Sequence, residues 1–490
     1  MMKVRFVLTS IFILLSIVGN QHALSQTPID PIPNPTPPAD QQFYFGRPAI
    51  ANPLMSNRIP EHPFMGVEQQ HNIHNDSYMS DVYQFAGPLG INPIVDSMAL
   101  GGVCATITFD ELGRLITACL NLSEANLFVI DPQTKTILDQ RPLPYRQIQL
   151  SDLEFPAGTY FYLDQQNRII IPVVGNLIWR LGIDDNHQFF EDTIFDLTQY
   201  VPDGDEINAV LPDYTGLLWF TTKAGIIGTL NIDTQTVQTL PLSNEQIGNS
   251  FAVDETNGVF IVTDTALYRF EADSNQAPTI VWRELYDRGN ERKPGQVLQG
   301  SGTTPTLMGS DYVVITDNAE PQMQVLVYQR TATENDNRLV CAVPVFAEGR
   351  SATENSVIAT DTSIIVENNY GYVPLQMAAG ILSEVGLTRI DVIDGNCNVI
   401  WESAERIPTA VTKLSLATGL IYTYTRDEGN IETAPWIFTA INYHTGETVW
   451  EQYVGTGPDF NNNYAAIYLT PDGIAYVGVT NGIVSIRDGQ

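Results

Sequence analysis

ITFDELGRLITAC, from Ile107 to Cys119, sets two apolar runs on either side of Asp110-Glu111-Leu112-Gly113. Alternating runs about a turn containing Asp and Gly are the mark of a β-hairpin. The unit recurs as FYLDQQNRIIIPV from Phe161, AVLPDYTGLLWFTT from Ala209 and FAVDETNGVFIVTD from Phe251. It recurs again as LMGSDYVVITD from Leu307, VIATDTSIIVEN from Val357, KLSLATGLIYTYT from Lys413 and AIYLTPDGIAYVG from Ala466, which makes eight copies. With Gly113 and Gly473 as equivalent turn positions, the spacing averages about 51 residues. A second unit, a strand, an Asp or Asn turn and another strand, follows many copies. Examples are LFVIDPQTKTIL from Leu127, IGTLNIDTQTVQTL from Ile227, TRIDVIDGNCNVIW from Thr388 and FTAINYHTGETVW from Phe438. Four strands per repeat with almost no helical patterning predict an all-β, eight-bladed β-propeller, seven blades being the alternative.

The ends follow from ring closure. The last unit supplies only three strands (AIYLT, GIAYVGV, GIVSIRD) before the sequence stops. Its fourth strand is expected from upstream, within Tyr78–Ser97, so that no long edge is left open. Residues 43–102 are thus assigned to closing the ring and 103–490 to the propeller. Residues 26–42 (QTPIDPIPNPTPPADQQ) are Pro-rich without apolar periodicity, which predicts an extended linker outside the core. Residues 1–25 pair a basic start, Lys3 and Arg5, with the apolar run Phe6 to Val18 and small residues at Ala23-Leu24-Ser25. This is the pattern of a cleaved export signal, and the run is too short to span a bilayer.

The chain has 490 residues, 43% of them hydrophobic and only 16% charged, with 56 Asp plus Glu against 24 Lys plus Arg. The apolar share excludes a disordered chain. The net charge of −32 excludes electrostatic binding to nucleic acid or anionic lipid, because such a surface repels phosphate. Loss of the signal would remove two basic residues and no acidic one. The expected protein is secreted or periplasmic, monomeric and not inserted in a membrane. In that oxidising space its four cysteines can pair. In a hairpin about the four-residue loop 110–113, Cys104 faces Cys119 across the ladder, where a disulfide fits a non-hydrogen-bonded pair. Cys341 and Cys397 are then left as the second pair.

Thr439-Ala440-Ile441-Asn442-Tyr443-His444-Thr445-Gly446-Glu447-Thr448-Val449-Trp450 resembles the repeat of pyrroloquinoline-quinone-type propellers: an aliphatic strand, an Asp, a Thr-Gly turn and a closing Trp. Asn442 stands where that repeat has Asp, and Lys135 replaces the Gly in the turn after Asp131. Trp401 and Trp282 occupy comparable strand positions, where a large ring can lock one blade onto the next; Trp179 falls one strand earlier. Asp213-Tyr214-Thr215-Gly216-Leu217-Leu218-Trp219-Phe220-Thr221 is similar to a blade of streptogramin-lyase-type propellers. The first resemblance implies a quinone, Ca²⁺ and a catalytic Asp in the central channel. The adjacent cysteine pair of quinone-dependent alcohol dehydrogenases is missing here, since no two Cys are neighbours.

The densest polar stretch is EHPFMGVEQQHNIHNDSYMSD, Glu61 to Asp81. His71, His74 and Asp76, with His62 and Asp81 nearby, could ligate a divalent cation such as Zn²⁺ if a turn brings them together. The alternative is a polar segment packed over one end of the ring, its imidazoles bonded to backbone carbonyls. Pro202-Asp203-Gly204-Asp205-Glu206 could hold Ca²⁺ but lacks the spacing of a dedicated calcium loop. It reads as an acidic turn, as do Asp184-Asp185 and Asp427-Glu428. No nucleophile elbow, phosphate loop or Cys-x-x-Cys is present. The expected function is therefore a non-catalytic exported propeller that binds a protein, glycan or small ligand at one face. A metal- or quinone-dependent enzyme with its site at the channel mouth is the alternative.

Overall fold

In the computed structural model, residues 27–34, 43–67, 69–147, 158–334, 337–373, 382–426 and 435–490 are described; the expected export signal lies outside them. Eight antiparallel sheets follow one another around a ring. Blade 1 spans 103–143, blade 2 162–196, blade 3 207–241 and blade 4 252–285. Blade 5 spans 306–344, blade 6 358–403 and blade 7 413–456. Blade 8 takes three strands from 467–487 and its outer strand from Ile94–Ala99, with Ile483 opposite Met98. That donor strand runs two residues past the expected window and joins the start of the chain to its end. Among the described residues the single helix is a 3₁₀ turn at Pro458–Phe460.

The hairpins form where the turn chemistry allows. In blade 1 the Asp110 carboxylate accepts the N–H groups of Leu112 and Arg114, each at 3.0 Å, and Gly113 adopts φ +72°, which a Cβ would strain. The same scaffold recurs at Asp164, Asp213 and Asp254. Inner strands are buried on both faces; all six residues of Leu115–Leu120 are buried. Outer strands face water, as the exposure of most of Phe189–Asp196 shows. Few strand faces are therefore left for charge, in keeping with the low charged fraction.

Tryptophans on outer strands lock neighbouring blades. The Trp282 indole of blade 4 donates to Thr331 O of blade 5 at 3.1 Å, and the Trp401 indole of blade 6 to Tyr443 O of blade 7 at 2.8 Å. Gly446 lies under the Trp401 ring with φ +73°, where a Cβ would sit 2.6 Å from ring carbons. Gly446→Ala adds left-handed strain to overpacking, so a loss of about 2–3 kcal/mol is expected. A denaturant midpoint within error of wild type would contradict this account of the lock.

Two cysteine pairs lie at disulfide distance, with Cα separations of 4.2 Å for Cys104–Cys119 and 6.3 Å for Cys341–Cys397. The first pairing arises by a route the hairpin reading did not contain. Phe109 pairs with Leu115, one residue off the expected register, and an irregularity between Cys104 and Ile107 shifts the ladder back, so that Cys104 faces Cys119. The second pair ties the outer strands of blades 5 and 6.

The described part of the Pro-rich lead, residues 27–34, docks on the blades. Thr27–Pro28 adds a fifth strand to blade 1, Ile32 is buried in the core, and Asn34 bonds Tyr453 and Thr456 of blade 7. Tyr44–Gly46 then adds an outer strand to blade 7.

Candidate functional site

The innermost strands leave backbone N–H groups facing the channel, and each needs an acceptor. The His-rich stretch supplies them. Phe109 N–H of blade 1 donates to Gln70 O, Leu163 N–H of blade 2 to His71 O, and Val253 N–H of blade 4 to Ser77 O. Leu307 of blade 5, Ala359 of blade 6 and Leu414 of blade 7 donate to the carbonyls of Tyr78, Ser80 and Asp81. Positive φ at Gln69, Asn75, Met79 and Asp81 coils the segment tightly enough to visit these blades in turn. Val82–Tyr83 ends it as a parallel strand against Leu414–Ser415. Residues 62–83 thus form a plug across the end of the channel where the Asp110-type turns lie.

The plug separates the three expected metal ligands. His71 and Asp76 line a small cavity with His62, whereas His74 lines the much larger central cavity. Asp76 organises its own turn, accepting the N–H groups of Tyr78 and Ser80 at 2.9 and 3.1 Å and the Ser80 hydroxyl. Burial pushes its carboxyl up to about 7, against the opposing bonds from Ser80. Burial pushes His71 down to about 3 and His62 to about 4, so both are neutral imidazoles. His62 packs against Tyr214 with the rings tilted by 59° and 4.2 Å between centroids, and its Nδ1 accepts the Phe64 N–H. Among the described residues no three His, Cys, Asp or Glu side chains are placed to hold a metal ion. The 202–206 turn is tied by ion pairs from Arg146 and Lys223 to Glu206, and Asp184 accepts N–H groups of its own turn. Asp427-Glu428 lies outside the described residues.

Under the central cavity sits a fully buried ion pair. Lys413, at the start of the innermost strand of blade 7, pairs with Asp81 of the plug, both 0% exposed, and donates to Ile73 O at 2.9 Å. Asp81 also receives the Ser356 hydroxyl and His74 Nδ1, the latter at 3.1 Å. Burial alone would raise the Asp81 carboxyl; the Lys413 ammonium and His74 hold it below the usual range instead. The set contains Ser, His and Asp, yet Ser356 Oγ meets the same ring nitrogen, Nδ1, that faces Asp81. A proton relay needs the hydroxyl on one imidazole nitrogen and the carboxylate on the other, so this cluster fastens the plug rather than activating Ser356.

The other end of the channel is open. It leads into a well of about 90 Å³ with Ile73 and His74 at the plug. Its walls come from the segments that lead into the innermost strands: Thr159 and Tyr160, Asn208, Gln246 to Asn249, Thr304, Glu354 to Ser356, Val411 and Tyr464. Asn249 braces the wall, accepting from the Tyr160 hydroxyl at 3.0 Å and donating to Gly302 O at 2.6 Å. Glu354 is the exceptional group. It is 8% exposed, and its Oε2 has no hydrogen-bond partner. Burial pushes its carboxyl up to about 8, against weaker pulls from the Val297 backbone, the Asn249 side chain and Arg292.

Glu354, Ser356 and Asn249 lie in connections between blades, where no motif flagged them. Lys413 carried a readable signal, because a lysine opens the innermost strand of KLSLATGLIYTYT, a position otherwise wholly buried.

No family model matches the chain. An uncharacterized protein of Archaeoglobus fulgidus is 31% identical over 327 residues, covering 60% of this chain and 63% of that protein. The chain thus spans a little under two thirds of that relative's length. Among solved structures, a europium-containing methanol dehydrogenase superposes with a TM-score of 0.53 at 11% identity, covering 87% of this chain and 98% of the other. The Dos1 propeller superposes with a TM-score of 0.48 at 10% identity, covering 83% and 98%. At such identities the dehydrogenase likeness establishes a pyrroloquinoline-quinone-type propeller fold and no chemistry.

The well itself does not fit that quinone. A tricarboxylate taken out of water needs facing cations. Among the described residues Lys223 is the only Lys or Arg that lines the well, and it pairs with Glu206 at 3.1 Å. Among the described residues no Trp lines the well to stack on a planar ring.

Proposed function

We propose that the chain is an exported, non-catalytic propeller that holds a small ligand in its blind central well. The observation that carries this reading is the plug: carbonyls between Gln70 and Asp81 bond the innermost strands of six blades across one end of the channel and give the cavity a floor at Ile73 and His74. Two cysteine pairs at disulfide distance suit an oxidising compartment, and no helix among the described residues is long and apolar enough to cross a membrane. Sharing of His74 Nδ1 by Ser356 and Asp81 argues against nucleophilic catalysis on this floor. The likeness of one blade to streptogramin-lyase-type propellers adds fold alone to the reading. Asp213 there accepts Thr215 and Leu217 N–H groups and the Trp219 indole N–H.

Leu298 lies half-buried in a connecting segment at the well, so Leu298→Trp fills the well without disturbing a blade. Thermal-shift measurements with sugars, amino acids, amines and carboxylates should find at least one class that stabilises the wild type. A ligand at 100 times its Kd adds about 2.7 kcal/mol, and the Trp variant should lose that gain. No stabilising class, or equal stabilisation of both proteins, would overturn the proposal.

A further inference from the structure

We infer that the ligand of the well is a small uncharged molecule of the carboxamide type, its N–H donors turned to the floor at His74 Nε2. The inference rests on the well being a ligand site and adds the ligand's chemistry. His74 is 3% exposed and lines the well. Its Nδ1 lies 3.1 and 3.2 Å from the two Asp81 oxygens. That carboxylate is the ion-pair partner of Lys413, and an ionised carboxylate only accepts. The Ser356 hydroxyl, 3.0 Å from Nδ1, donates to Asp81 as well, so it offers that nitrogen a lone pair and no proton. The neutral ring therefore carries its hydrogen on Nδ1, which leaves Nε2 as a fixed acceptor. No described residue bonds Nε2, and it is not enclosed, so it opens onto the well.

Two wall amides are set the same way round. Asn208 Nδ2 donates to Asn249 O at 3.0 Å, and Asn355 Nδ2 donates to Thr409 O at 3.0 Å and to Glu367. Both residues are buried and line the well. Among the described residues nothing donates to the oxygen of either. The well thus presents three acceptors, His74 Nε2, Asn208 Oδ1 and Asn355 Oδ1, and buried acceptors left without a donor are costly. An amide NH₂ brings two N–H groups and no lone pair that needs a donor in turn, whereas a hydroxyl brings one donor and two lone pairs. A carboxylate would set acceptor against acceptor. A cation gains no free charge at the floor, because Lys413 already matches Asp81. Ile73, Ile247, Val297, Leu298 and Val411 suit a short alkyl part, and about 90 Å³ is room for several water-sized groups.

Propionamide, butanone and propionate share one heavy-atom skeleton and differ in what they offer the floor: an NH₂, a methyl group or a charged oxygen. Titrated into the full-length protein at pH 7, propionamide should bind about five- to tenfold more tightly than butanone, as one satisfied buried acceptor requires, and propionate should not bind measurably. Leu298→Trp should abolish propionamide binding. His74→Phe keeps a ring on the floor and removes Nε2, so propionamide should fall to the affinity of butanone while butanone itself is unchanged. In the wild type the nitrogen resonance of His74 Nε2 should move on adding propionamide and stay in place with butanone. Equal binding of butanone, tighter binding of propionate or n-propylammonium, or an unmoved Nε2 resonance would overturn the inference. If His74→Phe does not fold, the wild-type ranking and that resonance decide alone. A different class that stabilises wild type but not Leu298→Trp in the thermal-shift measurements, with no binding of propionamide, would overturn the amide assignment and leave the well reading intact. No binding of propionamide or of any class would remove both.

Discussion

Lys413→Ala should lower the stability of the protein by about 3–5 kcal/mol, the usual loss when one partner of a buried ion pair is removed. Lys413 and Asp81 are both fully buried, so no water replaces the ammonium, and the carboxylate keeps only Ser356 Oγ and His74 Nδ1. The damage is not local. Asp81 is where the plug meets blade 7: its carbonyl accepts the Leu414 N–H, and Val82–Tyr83 pairs with Leu414–Ser415 just beyond. A plug released there would unpair acceptors serving several blades. Replacing both members, Asp81→Asn with Lys413→Met, should cost clearly less than the sum of the two single changes, because neither charge is then stranded. Denaturant midpoints of the four proteins measure the coupling. Strict additivity, or a single-variant loss below about 0.5 kcal/mol, would show that the pair does not hold the plug.

The contrast between blades and plug explains what could be read from the residues. The inner hairpins of blades 1 to 4 carry their own instruction: an Asp whose carboxylate caps the turn, as at Asp110 and Asp213, and a Gly or Asn three residues on that accepts positive φ. A hydroxyl takes the carboxylate's place at Thr360 of blade 6 and Ser415 of blade 7; such signals are local, so blade count followed from them. The outer-strand tryptophans were likewise legible, since Trp282 and Trp401 recur at one strand position and each reaches the next blade. The plug carries no repeat. Its carbonyls bond to blades dispersed through 300 residues of chain, and only ring closure brings those N–H groups together. His71, His74 and Asp76 sit close in sequence, yet the left-handed turn at Asn75 helps send them to different cavities. Cys104 and Cys119 show the opposite case. A wrong register at the loop and an irregularity in the strand offset each other, so the pairing was read correctly through a ladder that is shifted at its turn. Glu354 was beyond reach because a lone Glu in SATENS looks like any polar connection until the neighbouring blades bury it.

Folding stability should reach its maximum at acidic pH, near 4–5, and fall by about 2–4 kcal/mol between pH 6.5 and 8. Three buried carboxyls set the sign. Glu354 and Glu367 are pushed up to about 8 and Asp76 to about 7, in each case chiefly by burial. Between pH 6.5 and 8 the folded protein therefore holds protons that the unfolded chain, with carboxyls near 4, has already lost. Stability then decreases as pH rises, by up to about 1.4 kcal/mol per pH unit for each group still protonated. Below pH 6.5 the buried imidazoles of His62 and His71 act in the opposite sense. Held down to about 4 and 3, they stay neutral in the fold while the unfolded chain takes up two protons, so acidification adds stability more slowly, by the one carboxyl proton left in excess. Below about pH 4 the raised carboxyls contribute no further gain. Asp81, whose folded value is depressed by Lys413 and His74, then loses its share as it protonates. Equilibrium unfolding of ligand-free protein at pH 5.5, 6.5 and 8 measures the profile. Glu354→Gln with Glu367→Gln should flatten most of the fall between pH 6.5 and 8, leaving the smaller slope due to Asp76. A wild-type stability that is level or rising across that interval would show that these carboxyls are ionised in the folded protein, and so that water reaches the channel wall.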